Sequence, residues 1–332
     1  MNSTNRSSKW KAKFLNFVMD NKALIILMAL CAVGFVATNG LFFSLTNLTN
    51  VVRQICTSAV IGIGFTCVIA SGNLDLSVGT MLGMLGVIMA MISKTALGFW
   101  GALAVGIAAG ALCGLINGLI GVKLKLPLFI VTLASGQVFK GACYLLSNTS
   151  PVSGIPPAFR AVGQGYWGPV PIPIYIMAAV GVSVFVLLNM TAFGRRAVAT
   201  GGNREAARTS GVNVDQTIVL VYVLMGVCAA IAAAIMTGRA ASAQPPAGQG
   251  MEMDAIAAVV IGGTPLSGGY GKVGGTLLGC LIVGVITNVL NLAGMDSNWQ
   301  LVAKGLLILF AVGLDVASTL YVNNKMRRMR KE

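Results

Sequence analysis

Apolar runs about as long as a bilayer is thick follow one another along almost the whole chain, separated by short polar breaks. A helix needs about 20 mostly apolar residues to cross the hydrocarbon core. By that measure the sequence predicts spans near 23–39, 51–71, 76–93, 98–122, 127–146, 171–191 and 216–237, a short one near 254–263, then 273–293 and 299–319. The runs do not alternate apolar and polar residues as barrel strands would, so the spanning units are helices. Only 10% of the residues are charged, against about 25% in a soluble domain. The expected fold is an all-α integral membrane protein of about ten transmembrane helices, some of them broken or re-entrant. Its expected divisions are a tail at 1–22, a membrane domain at 23–319 and a basic tail at 320–332.

The net charge of +14 would suit a nucleic-acid partner, but the positions of the cations speak against one. With the N-terminal tail inside, 17 of the 23 lysines and arginines fall on inner segments, the positive-inside pattern of a membrane protein. That asymmetry supports an even number of crossings with both termini on the cytoplasmic side. The cations therefore orient the chain in the lipid bilayer, and no nucleic acid is implied. The seven cysteines lie in or beside apolar runs with no C-x-x-C pair, which reads as buried, inert thiols without a disulfide framework.

Two stretches break the helical pattern. "ASGNLDLSVGT" (70–80) places Asn73, Asp75 and Ser77 between apolar runs, and "GGTPLSGGYGKVGGTLLG" (262–279) holds eight glycines. Irregular backbone at membrane depth survives only where protein buries it or where it lines a polar cavity, and broken segments in both halves of a transporter point towards its pathway. Both stretches carry L-S-x-G, at Leu76–Gly79 and Leu266–Gly269, and "GLINGLI" resembles "GVITNVL" as "VFKG" resembles "VAKG". These matches predict a weak two-half internal repeat, parallel or inverted. Asn73, Asp75, Ser77, Asn117 and Asn288 are the candidate pathway residues, because an intramembrane polar group is a functional suspect. Gly106, Gly110, Gly114 and Gly118 recur every fourth residue, which lines one helix face with hydrogens and predicts close helix packing.

Catalysis finds little support. The chain has no histidine, no nucleophile–base set and no clustered carboxylates, and no metal or cofactor site is expected. "GYGKVG" (269–274) matches the dinucleotide fingerprint, but the context lacks the preceding strand that the fingerprint needs. Glu252 and Asp254 are read as opening a short helix, where carboxylates favour the helix dipole. The neutral polar residues near the spans suit an uncharged polar solute. The segment 147–170 is expected outside; with the residues just beyond it, it holds six of the ten prolines and reads as a stiff connector or a docking surface. On these residues alone, a self-contained carrier or channel stays open beside a permease that borrows its energy.

One loop stands apart. "GRRAVATGGNREAARTSGVNVD" packs Gly194, Arg195, Arg196, Gly201, Asn203, Arg204, Glu205, Ala206, Ala207, Arg208 and Gly211 between two apolar runs. Together with "SGNLDLSVG", "GGTPLSGGYGKVGGTLLG" and "NWQLVAKGLLILFAV", this loop resembles the sugar-permease subunits of bacterial ATP-binding-cassette importers, of the ribose, xylose, galactose and autoinducer-2 type. The resemblance covers nearly the whole chain after residue 40, in the same order. It implies a pore-forming subunit that works as a homodimer in the bacterial plasma (inner) membrane, served by an extracytoplasmic sugar-binding protein and driven by a separate ATPase subunit. Glu205-Ala206-Ala207 with Gly211 is similar to the E-A-A…G motif through which importer permeases couple to their ATPase, so the resemblance makes 192–215 a coupling loop. Pro265, Tyr270 and Lys140 depart from the residues usual in this family.

Overall fold

The computed structural model describes residues 22–296 and 298–306, with 309 and 313. The expected tails, apart from Lys22, most of the second half of the span at 299–319 and Asp315 lie outside the described residues. Six helices are long and apolar enough to cross a membrane. They are α2 (Leu45–Ala70), α4 (Gly98–Lys123), α5 (Leu128–Ser147), α7 (Ile172–Met190), α10 (Val214–Ala240) and α12 (Val273–Leu292). Three apolar helices are shorter: α1 (Lys22–Ala37), α3 (Val78–Ile92) and α11 (Met251–Ile261). The remaining helices are α6 (Pro157–Gln164), α8 (Ala192–Gly202) and α9 (Arg204–Thr209), and 298–306 is helical as well.

Helix ends follow local chemistry. Ser44 caps α2 by accepting from the Asn47 amide at 3.3 Å, the role in which a serine best replaces a missing intrahelical partner. Pro127 stands before α5 and Pro157 opens α6, where a missing N–H costs nothing. Both Glu252 and Asp254 fall in the first turn of α11, and Asp254 also receives Lys304 Nζ at 2.7 Å.

Two helices form the centre. The apolar window of α2 is 78% buried and that of α10 is 67% buried, against 22% for α7. The apolar surface left on the outer helices, including Leu112, Ile116, Leu133, Val182 and Phe185, has no aqueous use and suits contact with lipid or a second protein. The closest helix pair is α4 against α10. A Cβ placed on Gly110 would overlap the Gly226 carbonyl, one on Gly114 would overlap the Tyr222 carbonyl, and one on Gly118 would lie 2.9 Å from Val219 Cα. Gly106 meets Met89 of α3 instead. Backbones approach this closely only where both sides lack side-chain bulk, and packing of this kind is a main force between helices in lipid.

The segment 147–170 is ordered against the end of α10. Val152–Ser153 (β1) pairs antiparallel with Ser242–Ala243 (β4), and Tyr166–Trp167 (β2) pairs with Val170–Pro171 (β3). Helix α6 packs Gly163 onto the backbone of Gly238 and Arg239, and Gln164 Nε2 donates to the Arg239 carbonyl at 3.0 Å. Arg53 of α2 donates to the Gln164 carbonyl and stacks over Tyr166. These contacts define one end of the bundle, and α8 and α9 mark the other.

Candidate functional site

At the α8–α9 end the polar loop of the sequence folds into two short helices, each capped by its own side chain. Thr191 accepts from the Gly194 amide to start α8, Asn203 accepts from Ala206 to start α9, and Asn213 accepts from Gln216 to start α10. Gly194 is required because a Cβ there would overlap the Leu188 carbonyl as the chain turns out of α7. Gly211, at φ +82°, reverses the chain between α9 and α10, a conformation that side chains bearing a Cβ resist. Of α9 only Ala207 is buried; Glu205 and Arg208 are exposed. The Arg208–Asp215 pair spans 2.6 Å with both side chains about half exposed, so it guides geometry more than it stabilises.

Both broken segments end beneath these helices. The first runs from Ser71 to Ser77, between α2 and α3. Asp75 Oδ1 accepts from the Ser77 amide at 2.9 Å and from Ser77 Oγ at 2.6 Å, and Asn117 Nδ2 of α4 donates to Ser77 Oγ at 3.0 Å. Thr132 of α5 accepts from the Leu76 amide at 3.1 Å, and Tyr222 of α10 donates to the Leu74 carbonyl at 2.7 Å. Side chains from α5 and α10 thus satisfy backbone that no helix satisfies, as a break buried in a membrane protein demands, and Asn117 of α4 holds the Ser77 hydroxyl. Asn73 donates to the Ser71 carbonyl and hydroxyl, and its Oδ1 accepts from Arg204 Nη2 of α9.

The second segment, 262–272, links α11 to α12. Gly263, Gly268 and Gly269 have φ of +89°, +80° and +78°. Lys272 N–H donates to Thr264 Oγ1 at 3.1 Å, and Gly269 N–H donates to the carbonyl of Ala70, the last residue of α2, at 2.9 Å. Three glycine-bearing segments therefore meet at one point. A Cβ on Gly268 would lie 2.8 Å from Gly72 Cα, and one on Gly201 would overlap the Ala70 carbonyl and come within 2.8 Å of the Gly269 nitrogen. The two broken segments, about 190 residues apart in sequence, touch each other here through Ala70, Gly72, Gly268 and Gly269 and touch α8 through Gly201.

The five polar residues singled out in the sequence divide unequally. Asn73, Asp75, Ser77 and Asn117 belong to this junction, with Asp75, Ser77 and Asn117 fully buried. Asn288 is elsewhere: its amide exchanges hydrogen bonds of 3.0 and 2.8 Å with Asn47 between α12 and α2. None of the five lines the cavities of about 240 and 510 Å³ found at the opposite end among the described residues. Sequence reasoning passed over Tyr222, which sits in a run apolar on both sides. Its one signal was being the only tyrosine among the aliphatic residues of 214–240. The "GYGKVG" stretch follows a glycine loop and enters α12 with no strand before it, and its glycines serve backbone contact.

With this geometry in view, the profile of a family described as branched-chain amino acid transport system / permease component matches residues 47–312. The chain is 42% identical over 279 residues to the ribose import permease protein RbsC of Bacillus subtilis (strain 168), which covers 83% of this chain and 87% of that protein. It is 39% identical over 303 residues to the ribose import permease protein RbsC of Escherichia coli (strain K12), covering 90% and 94%. It is 35% identical over 314 residues to the L-arabinose transport system permease protein AraH of the same strain, covering 94% and 96%. No solved structure matches the chain. The chain belongs to this permease family.

Proposed function

We propose that this member of the permease family is the membrane subunit of an ATP-binding-cassette importer that translocates a monosaccharide, ribose-like in size and polarity. In this reading an external binding protein delivers the sugar, a separate ATPase subunit supplies the energy, and two copies of the chain form the pore in the bacterial inner membrane. Both tails, 1–22 and 320–332, and the coupling loop 192–215 lie on the cytoplasmic side, in keeping with the positive-inside distribution of cations. The names of the relatives, two ribose and one arabinose permease, support a sugar as the cargo.

One observation carries the reading. Helices α8 and α9 expose Glu205 and Arg208 on one side, and on the other hold the broken segments through Gly201 and Arg204. A motor docked on the exposed side would displace the ends of α2, α3 and α12 together, because all three reach the same junction. Such a subunit needs a handle and no catalytic group. Glu205→Ala tests the handle: Glu205 is exposed on α9, so its loss leaves the fold in place. Uptake by the complete transporter is expected to fall at least about tenfold, the scale for truncating one member of an interfacial charge pair, with the amount of inserted permease unchanged. Uptake equal to wild type would remove Glu205 from the coupling surface.

A further inference from the structure

At the end of the bundle opposite α8 and α9, a cavity of about 510 Å³ opens between α2, the 241–250 linker, α11 and the 298–306 helix. Its volume falls within the range of small-molecule sites. The linker is irregular backbone, with Pro245, Pro246 and two glycines at φ +90° and +85°, Gly248 and Gly250. It is packed into the bundle: a Cβ on Gly83 of α3 would lie 3.1 Å from the Pro245 carbonyl. Backbone of this kind, held between membrane helices, is tolerated where it lines a polar cavity.

The wall carries Gln54, Thr57, Arg239, Gln249, Asp254 and Lys304. Lys304 and Asp254 neutralise each other at 2.7 Å, both more than two-thirds buried. Thr57 is 3% exposed and its hydroxyl finds no partner in the protein, an exception among buried polar groups that calls for an explanation. Met236, Met251 and Leu301 supply apolar surface beside these groups. Neutral donors and acceptors, a compensated ion pair, the Arg239 guanidinium as a hydrogen-bond donor and patches of apolar wall match a molecule that presents hydroxyls on some faces and C–H on others. A cationic solute would be repelled by Arg239 and Lys304, and a lipid chain would leave the amides and the ion pair unsolvated.

We infer that this cavity is the outer solute site of the permease, where a neutral polyhydroxylated molecule of monosaccharide size pauses before the bundle opens inward. The Lys304–Asp254 pair clamps the helix 298–306 to α11 across the cavity wall. The inference rests on the importer reading and adds to it the place and chemistry of recognition.

The test uses the complete transporter in liposomes, permease with ATPase and binding protein, and reads labelled ribose uptake beside ATP hydrolysis. Wild-type uptake first checks the importer reading independently of the cavity. Gln54→Leu and Thr57→Val are then expected to lower uptake about tenfold each, the scale of one lost hydrogen bond in a buried site, while ATP hydrolysis stays within about twofold because the coupling end is untouched. Uptake by both variants equal to wild type would overturn the inference, even where the importer reading stands. Ser58→Cys gives a second readout, since Ser58 lines the cavity and the seven native cysteines are buried or half-buried. A membrane-impermeant thiol reagent added outside is expected to label it, to block uptake, and to be slowed by ribose. A thiol that resists the reagent, or labelling that leaves uptake intact, would overturn the assignment.

Discussion

Gly201→Val is expected to abolish uptake by the assembled transporter and to lower the thermal stability of the permease. The added Cβ overlaps the Ala70 carbonyl and approaches the Gly269 nitrogen to 2.8 Å. Both are backbone atoms, so no rotamer change relieves the contact. Only separation of α8 from the end of α2 and from the 262–272 segment can do so. That separation draws Arg204 away from Asn73 and removes the backing of α8 from the Gly269–Ala70 hydrogen bond. Overpacking a filled site costs about 1–3 kcal/mol even where side chains can give way, and here they cannot. The neighbouring residue supplies the control. Gly202 is exposed, and the nearest atom to a Cβ built on it is Gly269 Cα at 3.8 Å. Gly202→Val should therefore keep most of the uptake. Equal behaviour of the two variants in an uptake assay would separate coupling from the three-segment contact.

Gly226→Leu is expected to prevent accumulation of the permease in the membrane. Gly226 and Gly110 face each other so closely that a Cβ on either overlaps the other's carbonyl, and α10 is the second most buried spanning helix. A leucine must push α4 off α10 along a face that continues through Gly114 and Gly118. With no hydrophobic drive between helices in lipid, lost packing is not replaced by water exclusion, and the cost is about 3 kcal/mol or more. Gly141→Leu on α5 is the matched control, because nothing lies within 4 Å of a Cβ there. Membrane yield and detergent unfolding temperature distinguish the two. A Gly226→Leu protein as abundant and as stable as the Gly141→Leu protein would refute the packing.

Much of this architecture was legible in the sequence because it is local. Runs of apolar residues foretold the six long helices, α3 as a span near 76–93 and α11 as a short one near 254–263. Among the described residues six helices have spanning length and α1, α3 and α11 are shorter, while much of the tenth expected span, 299–319, lies outside them. The four-residue glycine period picked out the face of α4 that meets α10. The loop at 194–215 announced itself by charge, though not as two capped helices. What stayed hidden depends on distant contacts. Nothing in the spacing of Gly72, Gly201 and Gly268 says that they meet, because close backbone contact leaves no periodic mark. Polar residues inside apolar runs pointed to a pathway, but a break in a helix also needs side chains to satisfy its backbone. Thr132 and Tyr222 are used in that way. The cavity depends on distant contacts as well: the 241–250 linker lines it only because α3 and α11 pack beside it.

The account rests on a permease that imports solute only when a separate motor grips α8 and α9. Purified permease placed in liposomes, with labelled ribose outside, addresses this directly. It is compared with the same permease joined by its ATPase subunit, the external binding protein and enclosed ATP. The expected result is accumulation against a gradient in the complete system, none when ATP or the ATPase is left out, and none with the permease alone under a sodium or proton gradient. Accumulation by the permease alone under such a gradient would contradict the account and make the chain a self-contained carrier.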